Sequence, residues 1–285
     1  MTRSLLPLSL AGLVACSAAP PKADPVTATP AAPACVPLAT FQPITPGALT
    51  VVTSLPGPGF WEGSDADPSA VNSGFEWDVA EDLRKAFCLE RLVVRNEAFD
   101  AIVSGSVSDF DLSLSQISIT EERAKVATFS RPYFESLQGI LVKPGTTVSS
   151  KDDLAKLRWG VQSGTTAIDL LTTLGLDSQR SVYPQLPDAY TALEAGQIDA
   201  VLIDTAINLG QAARSKGRFV VVGQLAQAGG PDRYGALLPK NSPNTAAVDK
   251  VLEHLTTSGR LKELATKDLT ADPGNLPILN PPTGG

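Results

Sequence analysis

The residues with the clearest chemical potential lie between positions 110 and 134, FDLSLSQISITEERAKVATFSRPYF. They read as a buried strand, a Ser-rich turn, and a helix opening on Thr120-Glu121-Glu122-Arg123. A turn rich in hydroxyls and backbone N–H groups, one helical step from an arginine, has the chemistry to hold a small carboxylate. Arg123 offers a planar fork of donors, and Ser115 and Ser118 offer hydroxyls from the same turn. The competing reading is a surface arginine that pairs with Glu121 or Glu122 on its own helix.

The elements that would position this turn alternate in type. The β-branched run 49–53 reads as a strand and is followed by a loop rich in Gly, Pro, Asp and Ser. Phe75, Val79, Leu83 and Phe87 recur at every fourth position, one stripe of an amphipathic helix. A strand over 91–95, a short helix over 99–104 and a strand over 111–114 complete a first unit. A second unit comprises strands at 139–142, 159–162, 200–203 and 219–222, with helices at 167–174 and 190–195 between them. Ser150 and Asp153 suit a capping box for a helix through Leu157. Gly229-Gly230-Pro231 breaks the chain before a strand at 234–238, and helices at 245–257 and 261–267 close it. This alternation predicts βαβ units and mostly parallel sheets. Open sheets of this kind bind ligands at the carboxyl ends of their strands. Three such ends carry polar groups: 115–123, Gln162 to Thr166, and Asp204. Ser-Gly-Thr-Thr before a helix is also an ordinary N-terminal turn, and Asp204 is placed equally well to cap the helix after it.

The N-terminus carries Arg3, a brief apolar run and Leu13-Val14-Ala15-Cys16. This predicts a secretory leader over 1–15, too short to span a bilayer, with lipid attached at Cys16. Ordinary secretion, with Cys16 incidental, is the alternative. Residues 16–47 are dense in Ala, Pro and Thr, the composition of an extended tether. Cys35 and Cys88 then remain as an even pair, bridged in an oxidising compartment or else two free thiols. The formal net charge of −7 and the lack of any basic cluster argue against nucleic-acid partners. With His254 the only histidine, a Cys or His metal site is not expected, and no cofactor is.

The stretch from Phe110 to Phe134 resembles the signature of the family 3 extracellular solute-binding proteins, the amino-acid receptors of ABC importers. The matching elements are Phe110-Asp111, the serines up to Ser118, Ile119-Thr120, Arg123, and Phe129-Ser130-Arg131-Pro132-Tyr133-Phe134. GFEWDVAEDLRKAF, GVQSGTTA, ALEAGQIDAVLID and YGALLPK follow in that family's order, so the resemblance spans roughly positions 49–269.

The resemblance implies a two-lobed type II periplasmic-binding fold. Lobe one would take 48–136 with 229–285, and lobe two 137–228, with hinges near Leu137 and Gly229. It also implies a site in which Arg123 grips an amino acid's carboxylate and the Thr165 and Thr166 N–H groups complete the anion pocket. Asp204 would receive the ammonium group, the Ser115 carbonyl and Ser118 hydroxyl would add contacts, and Gln116 and Gln162 would shape a pocket for a polar ligand. Phe60 or Trp61 would cover the ligand unless they belong to the core. The implied partners are the permease subunits, and the receptor is expected to be a lipid-anchored monomer and not an enzyme. Two rivals share the scaffold: a periplasmic cyclohexadienyl (arogenate or prephenate) dehydratase, which needs a general acid in the cleft, and a ligand-binding sensor component.

Overall fold

The structure, a computed structural model, describes residues 35–63, 67–269 and 275–280. The expected leader, the lipid site Cys16 and most of the tether lie outside the described residues.

β1 (Ala48–Thr53) is buried at every position, as its Val-Val-Thr core predicts. It leads into α1 (Phe75–Ala86), whose Phe75, Val79 and Leu83 face the interior. Glu76 and Asp78 occupy the first turn of α1 and Arg84 and Lys85 the last, the charge order that suits a helix dipole. The first lobe continues through β2 (Arg91–Asn96), α2 (Phe99–Val103), β3 (Leu112–Ser113), α3 (Glu121–Val126) and β4 (Ala127–Ser136). The second lobe runs β5 (Gln138–Val142), α4 (Lys151–Leu154), β6 (Trp159–Gln162), α5 (Thr166–Leu174), β7 (Arg180–Tyr183), α6 (Leu186–Ala195), β8 (Ala200–Asp204), α7 (Thr205–Arg214) and β9 (Val220–Leu225). The chain then returns to the first lobe as β10 (Asp232–Pro239), α8 (Thr245–Thr257) and α9 (Arg260–Asp268).

Each lobe is built on a five-stranded sheet, ordered β2-β1-β3-β10-β4 in the first and β7-β6-β8-β5-β9 in the second. Both sheets are mixed, which amends the expectation of mostly parallel ones. β1 pairs parallel with β2 and β3, and β6 pairs parallel with β7 and β8. The remaining pairings, β10 with β3 and β4 and β5 with β8 and β9, are antiparallel. The reason is connectivity. Each antiparallel pairing involves β5 or β10, the strands by which the chain enters the other sheet: β4 of the first sheet passes into β5 of the second through Leu137 alone, and β9 returns to β10 without a helix.

Two further departures have local causes. β4 is ten residues long yet contains Pro132, which fits its place at the sheet edge, where a missing N–H disrupts no second ladder. α4 has the predicted Ser150 cap, with the Asp153 N–H donating to Ser150 Oγ at 3.2 Å, but stops at Leu154. Beyond α9, the described residues 275–280 reach β9 of the second lobe. The Gln224 N–H donates to the Pro277 carbonyl at 2.8 Å, and the Leu279 N–H to the Gln224 carbonyl at 3.0 Å.

Candidate functional site

The cleft between the lobes is lined from the first lobe by the ends of β1 and β3 and by α3. From the second it is lined by the ends of β6 and β8 and the starts of α5 and α6. Eight of the ten ligand candidates meet there: Ser115, Gln116, Ser118, Arg123, Gln162, Thr165, Thr166 and Asp204.

Arg123 is not a surface helix residue. It is 7% exposed, and its Nη1 donates to the Ser118 carbonyl at 2.7 Å. Nη2 reaches across to the Gly164 carbonyl of the second lobe at 2.9 Å, and the guanidinium lies 5.5 Å from the Phe99 ring centroid. A guanidinium carries five N–H donors, so three remain for a ligand. Burial pulls the Arg123 pKa down, against the carboxylates of Asp232, Asp204 and Asp169, and the group keeps its charge.

Asp204 occupies the N-cap position of α7, but its side chain makes no capping bond. The carboxylate instead lines the cleft, accepting from Gln138 Nε2 at 3.1 Å. Burial, with the Asp232 charge nearby, pushes its pKa well above the ordinary carboxylate range. The side chain thus lies in the cleft and does not cap α7.

The turn at 115–118 is held from several sides. Ser115 Oγ accepts the Ser54 N–H at 2.9 Å, and the Gly235 N–H of β10 donates to the Ile117 carbonyl at 3.0 Å. Gln116 has a left-handed backbone, φ +51°, which is uncommon for a side chain of this size. The residue that holds it there is Glu76 of α1. One Glu76 oxygen accepts the Gln116 N–H at 2.8 Å, and the other accepts Trp61 Nε1 at 2.7 Å. The Gln116 amide and the Tyr133 hydroxyl also donate to this carboxylate. Glu76 is wholly buried, and burial raises its pKa against the pull of these donors.

Phe60 and Trp61 do not cover the cleft, which corrects that expectation. Phe60 is 0% exposed and Trp61 1%; Phe60 packs edge-on against Phe75 and Phe134. The first-lobe wall is formed instead by Leu55, Pro56 and Phe99, and the second-lobe wall by Leu186, Pro187 and Ile207. Ser54, Gln185 and Ile203 complete the lining that the sequence did not reveal. Glu76 was equally hidden, since an acid in the first turn of a helix reads as dipole compensation. Only the phase of α1 betrays it, because Glu76 shares a turn with buried Phe75 and Val79.

Thr165 Oγ1 donates to the Gln162 carbonyl at 2.7 Å, and the Thr165 N–H points at the same oxygen at 3.4 Å. Thr166 opens α5, so its N–H has no carbonyl within the helix. Its hydroxyl donates to Asp232 at 3.2 Å, and Gln138 Nε2 donates to the same Asp232 oxygen at 2.7 Å. Cys35 and Cys88 are each disulfide-bonded.

Two mixed α/β lobes that enclose a buried cation and a buried anion define a two-lobed type II solute-binding fold. An ancestral arginine-binding protein bound to glutamine superposes with a TM-score of 0.67 at 28% identity, over 79% of this chain and 98% of that one. ArtJ of Geobacillus stearothermophilus, an arginine-, lysine- and histidine-binding protein, superposes with a TM-score of 0.65 at 27% identity, over 82% and 98%. The chain belongs to the bacterial extracellular solute-binding proteins, family 3, whose profile matches residues 63–270. The glutamine-binding protein GlnH of an ABC transporter of Bacillus subtilis is 29% identical over 70% of this chain and 74% of its own. The L-cystine-binding protein TcyJ of Escherichia coli is 29% identical over 70% and 75%.

Proposed function

We propose that this protein captures an α-amino acid between its lobes and delivers it to the permease of an ABC importer. The observation that carries the reading is the convergence of Arg123 and Asp204, one buried cation and one buried anion, on a single interlobe cleft. A zwitterion matches that pair and leaves neither charge desolvated alone. Arg123 takes the carboxylate with its remaining donors, the Thr166 N–H adds to it from the start of α5, and Asp204 takes the ammonium group. Ser115, Gln116, Ser118, Gln162 and Thr165 frame the ligand.

The chain crosses between lobes near Leu137 and Gly229, and rotation there opens the cleft. Lobe one comprises 48–136 with the return segment through α9, and lobe two 137–228. The protein works as a monomer outside the cytoplasm, held to the membrane by lipid on Cys16, with Cys35 bridged to Cys88. It binds and releases its ligand without chemical change.

A thermal-shift screen against all amino acids and a few deaminated acids tests the reading, using protein unfolded and refolded to remove carried-over ligand. A rise of several degrees with one or a few amino acids is expected. A flat response across the panel would overturn it.

A further inference from the structure

Within this amino-acid reading, we infer that the side chain of the ligand is uncharged. Among the described residues that line the cleft, Arg123 and Asp204 are the only ionisable ones. Both are matched by the ligand's own carboxylate and ammonium groups, so a third ligand charge would enter without a counter-charge.

No other acid among the described residues lines the cleft. Asp232 is not part of the cleft lining; it shares the Gln138 amide with Asp204, so its charge acts at the ammonium end of the site and not at the wall that meets the side chain. Asp100, Glu122 and Asp169 line an adjoining groove that meets the cleft at Arg123, Thr165 and Thr166 and are not among the cleft's own lining residues. Glu76 is enclosed by Trp61, Gln116 and Tyr133.

What remains to receive a side chain is the wall of Leu55, Pro56, Phe99, Leu186, Pro187 and Ile207. The polar side chains beside it, Ser54, Gln116, Gln162 and Gln185, are neutral. Such a lining accepts an aliphatic or an amide side chain at little cost. It penalises an ammonium, guanidinium or carboxylate by the desolvation of an unpaired ion. Specificity of this kind comes from rejecting the wrong charge as much as from contacts to the right ligand.

Isothermal titration calorimetry on the full chain, freed of carried-over ligand, tests this with glutamine, leucine, arginine, lysine, glutamate and aspartate. At least one of the two uncharged amino acids is expected to bind 100-fold or more tighter than any of the four charged ones. A charged amino acid that binds as tightly as the better uncharged one would overturn the inference and leave the amino-acid reading standing. No binding by any of the six, with no thermal shift from the remaining amino acids, would overturn the amino-acid reading itself. A variant probes the wall directly. Ser54→Asp adds a carboxylate at the end of β1 and is expected to improve arginine binding at least tenfold. No gain would overturn the assignment of this wall to the ligand's side chain.

Discussion

Arg123 and Asp204 face the cleft from opposite lobes, but their substitutions should behave differently. Arg123→Ala removes the fork and leaves the Ser118 and Gly164 carbonyls without their donor, so affinity should fall by 100-fold or more. Arg123→Lys keeps the charge without the planar fork and should recover only part of the loss, as titration of both variants would show. Asp204 adds a proton linkage. Its pKa is raised in the folded, ligand-free protein, so its contribution to stability is complete below the ordinary aspartate value and is lost as pH rises through the raised one. An ammonium group beside it favours the carboxylate, so binding within that pH window should release a proton. Calorimetry in two buffers of different ionisation heat should detect the release in the wild type and not in Asp204→Asn. Glu76 tests the support beneath the pocket. Glu76→Gln replaces one acceptor with a donor opposite four converging donors, which costs about 1–3 kcal/mol. The thermal midpoint should fall by several degrees, and affinity should fall too as Gln116 is released from its left-handed conformation. An unchanged midpoint would mean that the carboxylate does not hold this cluster together.

At the scale of elements, the strands and helices whose hydrophobic period is regular were legible in the chain: β1, α1, β6, β8 and the two C-terminal helices. So were the three polar strand ends that build the charged part of the site. β4 was not, because its alternation is broken by Arg131-Pro132 and it is recognisable as a strand only beside β10. The apolar wall of the cleft was hidden for a related reason. Leu55, Pro56, Leu186 and Pro187 sit in loops or at a helix start, where no periodicity marks a face, and only closure of the two lobes brings them together. Phe60 and Trp61 show the converse, two aromatics in a Gly- and Pro-rich loop that fold inward as core. The turn before α5 was visible as Ser-Gly-Thr-Thr, but the need for its glycine was not. Gly164 has φ +77°, and a Cβ there would lie 3.2 Å from Asp100 Cα on the other lobe. Gly164→Ala should therefore weaken ligand binding by about tenfold or more, through left-handed strain and the blocked approach together. A titration equal to wild type would show that the lobes do not need to meet at this point.

Over the whole molecule, closure brings the lobes together at two lips with different physics. On one, the buried Arg123 fork reaches the Gly164 carbonyl beside α2. On the other, Gly210 of α7 meets Pro58, where an added Cβ would lie 3.0 Å from the Pro58 carbonyl oxygen, and Arg214 pairs with Glu62. Between the lips, Gln138 at the first crossing donates to Asp204 and to Asp232, which follows the second crossing. The cleft carboxylate of Asp204 is thus tied to both crossing segments, and opening must rearrange these bonds. The magnitudes rank the two contacts of this second lip. Arg214 and Glu62 are each more than a third exposed, and an ion pair in that setting contributes about 0–1 kcal/mol. A buried close contact such as Gly210 against Pro58 has no solvent to relieve it, and overpacking there costs about 1–3 kcal/mol. Arg214→Ala should therefore lower affinity by less than about fivefold. That loss should shrink further as added salt screens the pair in the wild type. Gly210→Val should lower affinity by tenfold or more at any salt concentration. Titration of both variants at low and high ionic strength separates the two contributions. If Arg214→Ala instead proved the more damaging and salt-sensitive change, closure would depend on an exposed electrostatic latch rather than on the fit of the lobes.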